Sequence, residues 1–255
     1  LQLNYKKFGQ GQSTLIVLHG FLGSLDNWQT LAVKFGDFGK VITIDQRNHG
    51  KSMHTDIHSI PLMVNDLKLF LDQHNLEKVY LMGHSMGGKV AMHFALDFPE
   101  KVEKLVIVDI APRKYLRGHD DVFEAIYAID LNNIQSRKEA EMAMESIMPD
   151  FGLRQFLLKN LERNETGAYQ WKMNLPVLHN YYEEIIQEIG SNRKFLNPTL
   201  IIKGGKSKYI SSKDEDDYLK LFPNYEMATI TDAGHWVHAE QPELFFNEVA
   251  KFLYR

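Results

Sequence analysis

The chain has 255 residues, 24% of them charged and 44% hydrophobic, with a formal net charge of −4 and no cysteine. That length suits one large α/β domain with room for an insertion. The charge balance gives no basic footprint for nucleic acid, and the absence of cysteine excludes disulfides, thiol nucleophiles and cysteine-ligated metals. In chain order, apolar β-branched runs fall at residues 3–8, 14–18, 40–44, 78–82, 104–109, 199–203 and 226–231. Helical spacing lies between them near residues 28–35, 60–74, 86–96 and 214–222, and a last helix begins after Gln241-Pro242, where proline suits a first turn. Strands alternating with helices predict βαβ units and a mainly parallel sheet. Runs such as Leu15-Ile16-Val17-Leu18 are apolar throughout, as expected when helices cover both faces of the sheet.

The alternation breaks after Pro112. Val122-Phe123-Ala125-Ile126-Ile129, Ala140-Met142-Ala143-Ile147, Leu153-Phe156-Leu157-Leu161 and Val177-Leu178-Tyr181-Tyr182-Ile185-Ile186 all have helical spacing, and no convincing strand separates them. We expect a core from residues 1–111 and 198–255, with residues 112–197 inserted as a helical cap.

One hexapeptide carries the chemistry. Gly83-His84-Ser85-Met86-Gly87-Gly88 follows the apolar run Val79-Tyr80-Leu81-Met82 and precedes a helical pattern. A strand, a glycine-flanked turn and a helix hold a serine hydroxyl strained and exposed at a helix N-terminus, where free amides favour negative charge. Ser85 is therefore the candidate nucleophile. A serine hydroxyl needs an adjacent base. His235, in Asp232-Ala233-Gly234-His235-Trp236, follows the last strand, and loops at strand carboxyl ends converge on one crevice.

The base needs a carboxylate to fix its tautomer. The late loop Lys206-Ser207-Lys208-Tyr209 has none, and residues 214–217 read as the acidic first turn of a helix. Asp109 closes the run Leu105-Val106-Ile107-Val108 at its carboxyl end, and we expect it to be the acid. The amides of Met86 and Phe21 are the expected oxyanion donors. Leu22, His84, Trp236 and Tyr209 are expected around the substrate pocket, with some of Phe123, Tyr127, Phe156, Tyr181 and Tyr182, while His19 reads as structural.

Other signals fail or stay open. Gly50-Lys51-Ser52 resembles the end of a phosphate loop, but the required glycine five residues earlier is Asp45. The segment 45–50 reads instead as a turn held by side-chain hydrogen bonds. The His54/His58 and His235/His238 pairs lack a third ligand nearby in sequence, so no metal and no cofactor is expected. Arg113, Lys114, Arg117, Lys206 and Lys208 fall just past two strand ends. They either rim the site and attract an anionic substrate such as an acyl-CoA, or form a solvated surface. No run approaches the roughly 20 apolar residues of a membrane span. Residues 1–7 show no apolar signal core, although the chain does not begin with Met, and the expected setting is the cytoplasm.

In order, Gly83–Gly87, His19-Gly20, the turn from Asp45 to Ser52 and Gly234-His235 resemble the α/β-hydrolase fold. More narrowly, the segments 19–27, 45–50 and 83–89 resemble the bacterial YbfF-type esterases. Val108-Asp109-Ile110-Ala111-Pro112 and Gly234-His235-Trp236-Val237-His238-Ala239-Glu240 strengthen that likeness. The resemblance implies an esterase or thioesterase acting on a small-molecule substrate through an acyl-serine, with a four-helix cap. It also implies a triad acid on the strand after the elbow helix. The common α/β-hydrolase pattern puts that acid one strand later, and this chain departs from it at residues 206–209. Two other functions share such a frame, carbon–carbon bond hydrolysis of a diketone-like substrate and a ligand-binding role with vestigial hydrolysis.

Overall fold

Leu15 and Val17 pack into one apolar core and Ile16 and Leu18 into another, so a single sheet carries dry layers on both faces. The computed structural model describes residues 2–254. Its first part comprises β1 (Tyr5–Phe8), β2 (Thr14–Leu18), α1 (Gln29–Gly36), β3 (Lys40–Ile44), α2 (Ile60–Gln73), β4 (Val79–His84), α3 (Met86–Asp97) and β5 (Val102–Val108). Then come α4 (Asp120–Tyr127), α5 (Arg137–Glu145), α6 (Phe151–Leu158), β6 (Leu161–Arg163), β7 (Tyr169–Trp171), α7 (Leu175–Asn180) and α8 (Tyr182–Ile185). The chain ends with β8 (Thr199–Gly204), α9 (Glu215–Leu221), β9 (Tyr225–Ile230), α10 (Val237–Glu240) and α11 (Pro242–Leu253).

Seven strands form the sheet in the order β1-β3-β2-β4-β5-β8-β9. All pairs are parallel except β1 with β3. From β2 the chain moves outward to β3 and returns to β4 on the other side of β2. That reversal makes a crevice at the carboxyl ends of β2 and β4, where ligands bind in open α/β sheets. Helices α2 and α3 cover one face, α1 and α11 the other. Helix α2 starts where the Ser59 hydroxyl accepts the Leu62 N–H at 3.4 Å, with Pro61 in the first turn.

Residues between β5 and β8 leave the sheet. They form five short helices and a two-stranded hairpin, not helices alone. Leu161, which has helical spacing with Leu157, instead pairs with Trp171 across the hairpin. The turn is closed by Asn164, whose Oδ1 accepts the N–H groups of Thr166 and Ala168 at 3.1 and 3.0 Å. The neck of this excursion is zipped. Ile189 N–H donates to Pro112 O and Tyr115 N–H to Ile186 O, each at 2.8 Å. Lys89 of α3 adds its ammonium, donating to Arg113 O at 2.9 Å and to Gln187 O.

The turn after β3 is anchored to α2 by a buried bidentate ion pair. Arg47 Nε and Nη2 lie 2.5 and 2.6 Å from the Asp66 carboxylate, with the side chains 7% and 4% exposed. Removing one partner strands a buried charge, which costs about 3–5 kcal/mol, whereas exposed pairs contribute about 0–1 kcal/mol. Asp66→Ala should therefore lower the unfolding free energy by about 3 kcal/mol in a urea titration. A loss no larger than that of Asp26→Ala, in the exposed Lys6–Asp26 pair, would show that the pair does not anchor the turn.

Candidate active site

Ser85 sits between β4 and α3 with φ 51° and ψ −119°, a region that L-residues adopt only under constraint. The constraint is backbone crowding. A Cβ on Gly83 would lie 2.1 Å from Gly87 O, and one on Gly87 would lie 2.6 Å from both His19 O and Leu18 O. The Ser85 N–H donates to Val108 O at 3.0 Å, which ties the elbow to β5. Met86 N–H opens α3 and has no intrahelical acceptor. Among the described residues Phe21 N–H has no partner either.

The loop carrying Phe21 is built on two neutral imidazoles. His19 donates from Nδ1 to Gly20 O at 2.8 Å and accepts the Gln46 N–H on Nε2 at 3.0 Å. His49 donates from Nδ1 to Arg47 O at 2.9 Å and accepts the Leu22 N–H on Nε2 at 3.3 Å. Below them the Asp45 carboxylate accepts the N–H groups of Leu25 and Lys51 at 2.8 and 3.0 Å. The turn at 45–50 is held by side chains, as the sequence indicates. Its reach across to the loop after β2 was not legible, because nothing in a linear motif marks a partner 20 or more residues away.

Asp109 also adopts a positive φ, 48°, and is fully buried. Its Oδ2 accepts His235 Nδ1–H at 2.8 Å and the Ser207 hydroxyl, and its Oδ1 accepts Gly204 N–H at 3.0 Å. With the proton on Nδ1, the Nε2 of His235 is left as the acceptor. Ser207 escaped the sequence reading. It occupies the late loop where a carboxylate was sought, and it serves the carboxylate one strand away. His84 Nε2–H donates to His235 O at 2.8 Å, and Tyr209 stacks on the His235 ring at 3.7 Å and 14°. Among the described residues no hydrogen bond joins Ser85 to His235. Such contacts are often long before substrate binds.

Two cavities flank these residues. One, of about 560 Å³, is lined by Ser85, Phe21, Ile110, Tyr115, Tyr182 and Tyr209 among others. The other, of about 580 Å³, is bordered by His235, Trp236, Leu153, Phe156, Lys159 and Lys206 among others. Tyr209 and Trp236 thus face cavities, whereas Leu22 and His84 do not. These two are 2% and 3% exposed and act behind the walls, on His49 and on the His235 loop. Of the aromatic residues expected there from the sequence, Tyr182 and Phe156 line these two cavities, whereas Phe123 is buried against Phe21 and Tyr127 is half exposed and borders a separate hollow.

Most of the basic rim is charge-paired. Arg113 meets Asp214 at 2.8 Å, Arg117 meets Asp120 at 2.6 Å and Lys206 meets Asp232 at 3.4 Å. Asp214 is buried, and its carboxylate also accepts the Ser211 N–H at 2.7 Å. Burial, assisted by Arg113, pushes the Lys89 ammonium down to about 7. Among the described residues no cluster of three His, Asp or Glu could hold a metal ion, and no helix is long and apolar enough to cross a membrane.

A doubly covered, mainly parallel sheet with a strained serine after its central strand defines a class, and the comparisons agree. The α/β hydrolase fold model matches residues 13–242, and the chain belongs to that family. Within it, the chain is a YbfF-type esterase by descent. It is 37% identical to Esterase YbfF of Escherichia coli (strain K12), over 94% of this chain and 93% of that protein. It is 39% identical to the sn-1-specific diacylglycerol lipase ABHD11 of Danio rerio, over 99% of this chain and 83% of that one. A solved structure described as a marine microorganism esterase superposes with a TM-score of 0.97 at 41% identity, covering 99% of this chain and 100% of the other.

The site is also rich in buried neutral histidines. Burial lowers the pKa of His19, His49 and His84, and pushes His58 and His238 from 6.5 down to about 3. Released into water on unfolding, each takes up a proton near 6.5, so acid favours the unfolded chain. Their stabilisation is complete above that value and is lost as pH falls toward 3. Between about pH 7.5 and about pH 5.5, His58 and His238 should each remove about 1 kcal/mol of stability. Urea titrations at the two pH values should show this loss, and His238→Gln should shrink it by its share. An identical pH dependence in that variant would refute the assignment.

Proposed function

We propose that this chain hydrolyses carboxylic esters through an acyl-serine formed on Ser85. The observation that carries the reading is the 2.8 Å contact between Asp109 Oδ2 and His235 Nδ1, made inside a carboxylate pocket sealed from water. Asp109 holds the imidazole in the tautomer whose Nε2 accepts a proton, and its charge stabilises the imidazolium that forms. His235 takes the hydroxyl proton as Ser85 Oγ attacks the ester carbonyl. The amides of Met86 and Phe21 receive the oxyanion, and losing one such donor typically costs about 3 kcal/mol of transition-state stabilisation. His235 then protonates the departing alcohol, and a water deprotonated by His235 releases the acid and restores Ser85.

Residues 112–197 act as the cap in this reading. The Ser85 cavity, walled by Ile110, Tyr115 and Tyr182, receives the acyl group. The cavity bordered by His235 and Trp236 lies beside the group that protonates the leaving alcohol. Thioesters suit the same chemistry. Arg113, Arg117 and Lys206 are paired with carboxylates, which leaves Lys208, at the Ser85 cavity, as the rim cation best placed to meet the phosphates of an acyl-CoA.

Asp109→Asn should lower kcat on a p-nitrophenyl ester by roughly 10⁴, by analogy with a serine-protease triad, with KM little changed. Asp214→Asn should lower stability, through the Arg113 pair, rather than kcat. A comparable fall in kcat in both variants would remove Asp109 from its assigned role.

A further inference from the structure

The Ser85 cavity holds an imidazole that the proposed triad does not use. His119 immediately precedes α4, and its ring lines the cavity. Its Nδ1 is hydrogen-bonded to the hydroxyl of Tyr182. Tyr182 is 2% exposed, and its hydroxyl oxygen also receives the Gly118 N–H. A phenol has one hydrogen to give, and leaving it unpaired in a buried place is costly. Tyr182 therefore donates to Nδ1, and the ring proton sits on Nε2. Burial, with His235 adding in the same direction, lowers the His119 pKa, so the ring is neutral.

The plane of this imidazole is fixed from two sides. Phe21 meets it edge-on at 6.1 Å and 85°, and the Tyr182 ring lies 5.3 Å away. Among the described residues His119 Nε2 makes no hydrogen bond, and it is not one of the sealed, unpaired nitrogens of the interior. A rigid N–H donor thus faces the space that Ser85 opens onto. Two neighbouring polar groups are already committed, whereas the Tyr209 hydroxyl and the Lys208 ammonium line the same cavity without a hydrogen-bond partner among the described residues. Tyr115 accepts Ala111 N–H and donates to Tyr209 O, and the Lys89 ammonium binds two carbonyls.

We propose that His119 Nε2–H binds an oxygen carried on the acyl chain, so that the enzyme prefers 3-hydroxyacyl esters to plain alkanoyl esters of equal length. This rests on the assignment of the Ser85 cavity to the acyl group. An alkanoyl chain leaves that N–H without an acceptor, whereas a hydroxyl near the carboxyl end supplies one. The donor is uncharged, so it discriminates by hydrogen bonding rather than by attracting anions.

The test compares ethyl butyrate with ethyl 3-hydroxybutyrate in a pH-stat. The wild type should favour the hydroxy ester in kcat/KM, and His119→Phe should reduce that preference about ten-fold, mainly through KM. His119→Gln, which keeps an N–H donor, should restore most of it. No preference in the wild type, or an unchanged preference in His119→Phe, would overturn the proposal. Nitrogen NMR of the resting enzyme gives a reading that needs no variant. It should find His119 protonated at Nε2 and bare at Nδ1, and the opposite tautomer would overturn the proposal as well. Ser85→Ala separates the two layers: hydrolysis that survives it defeats the nucleophile assignment, whatever His119 does.

Discussion

A single carboxylate ties the candidate site together. Asp109 is shut off from water and accepts donors from β8, from the loop that follows it and from the loop after β9. The three donors converge only because β5 and β8 are neighbours in parallel register and β9 lies next beyond. The left-handed backbone at Asp109 turns the carboxylate back across the strand ends. That strain persists because the bonds on both carboxylate oxygens over-determine it. The orientation of His235, and through it every proton transfer in the proposed mechanism, depends on this knot.

The opposite side of the crevice uses a different device. There the oxyanion loop rests on His19 and His49, each used at both nitrogens as donor and acceptor. A neutral imidazole does this well, because it satisfies an N–H and a carbonyl without burying charge. Asp45 spends its charge on the Leu25 and Lys51 N–H groups and on the Asn4 side-chain amide, and the charge of Arg47 is met by Asp66. The base is thus held by one buried carboxylate, and the oxyanion loop by imidazoles backed by charges that are themselves paired.

Much of this was legible in the sequence for a local reason. The elbow needs glycine on either side of Ser85 because β4, α3 and the loop after β2 approach within a Cβ radius, and glycines leave a mark. Asp109 was legible because it ends an apolar run. The hairpin of β6 and β7 was not, since three-residue strands show no alternation and Leu161 continues a helical spacing. Ser207 was invisible, as a serine in a loop looks the same whether it meets water or a carboxylate. His84 and Leu22 adjoin Ser85 and Phe21 in sequence, yet neither lines the two cavities. In a strand, and in a turn with φ 56°, sequence neighbours point away from each other, and both side chains turn inward.

The zipped neck beneath the excursion from the sheet has a consequence for how such proteins can diverge. Pro112 and Ile189 are joined by one hydrogen bond, Tyr115 and Ile186 by another, and Lys89 bridges both strands of the neck. Everything between them is a closed loop whose ends are already fixed. Lengthening a closed loop costs only about 0.6 kcal/mol per doubling. The helices above the neck can therefore lengthen or shrink at little entropic cost, provided that Asn160 keeps its bond to Leu22 O and Asn174 its bonds to Asn48 and Thr55. Substrate preference can drift in that segment while the chemistry beneath stays in register.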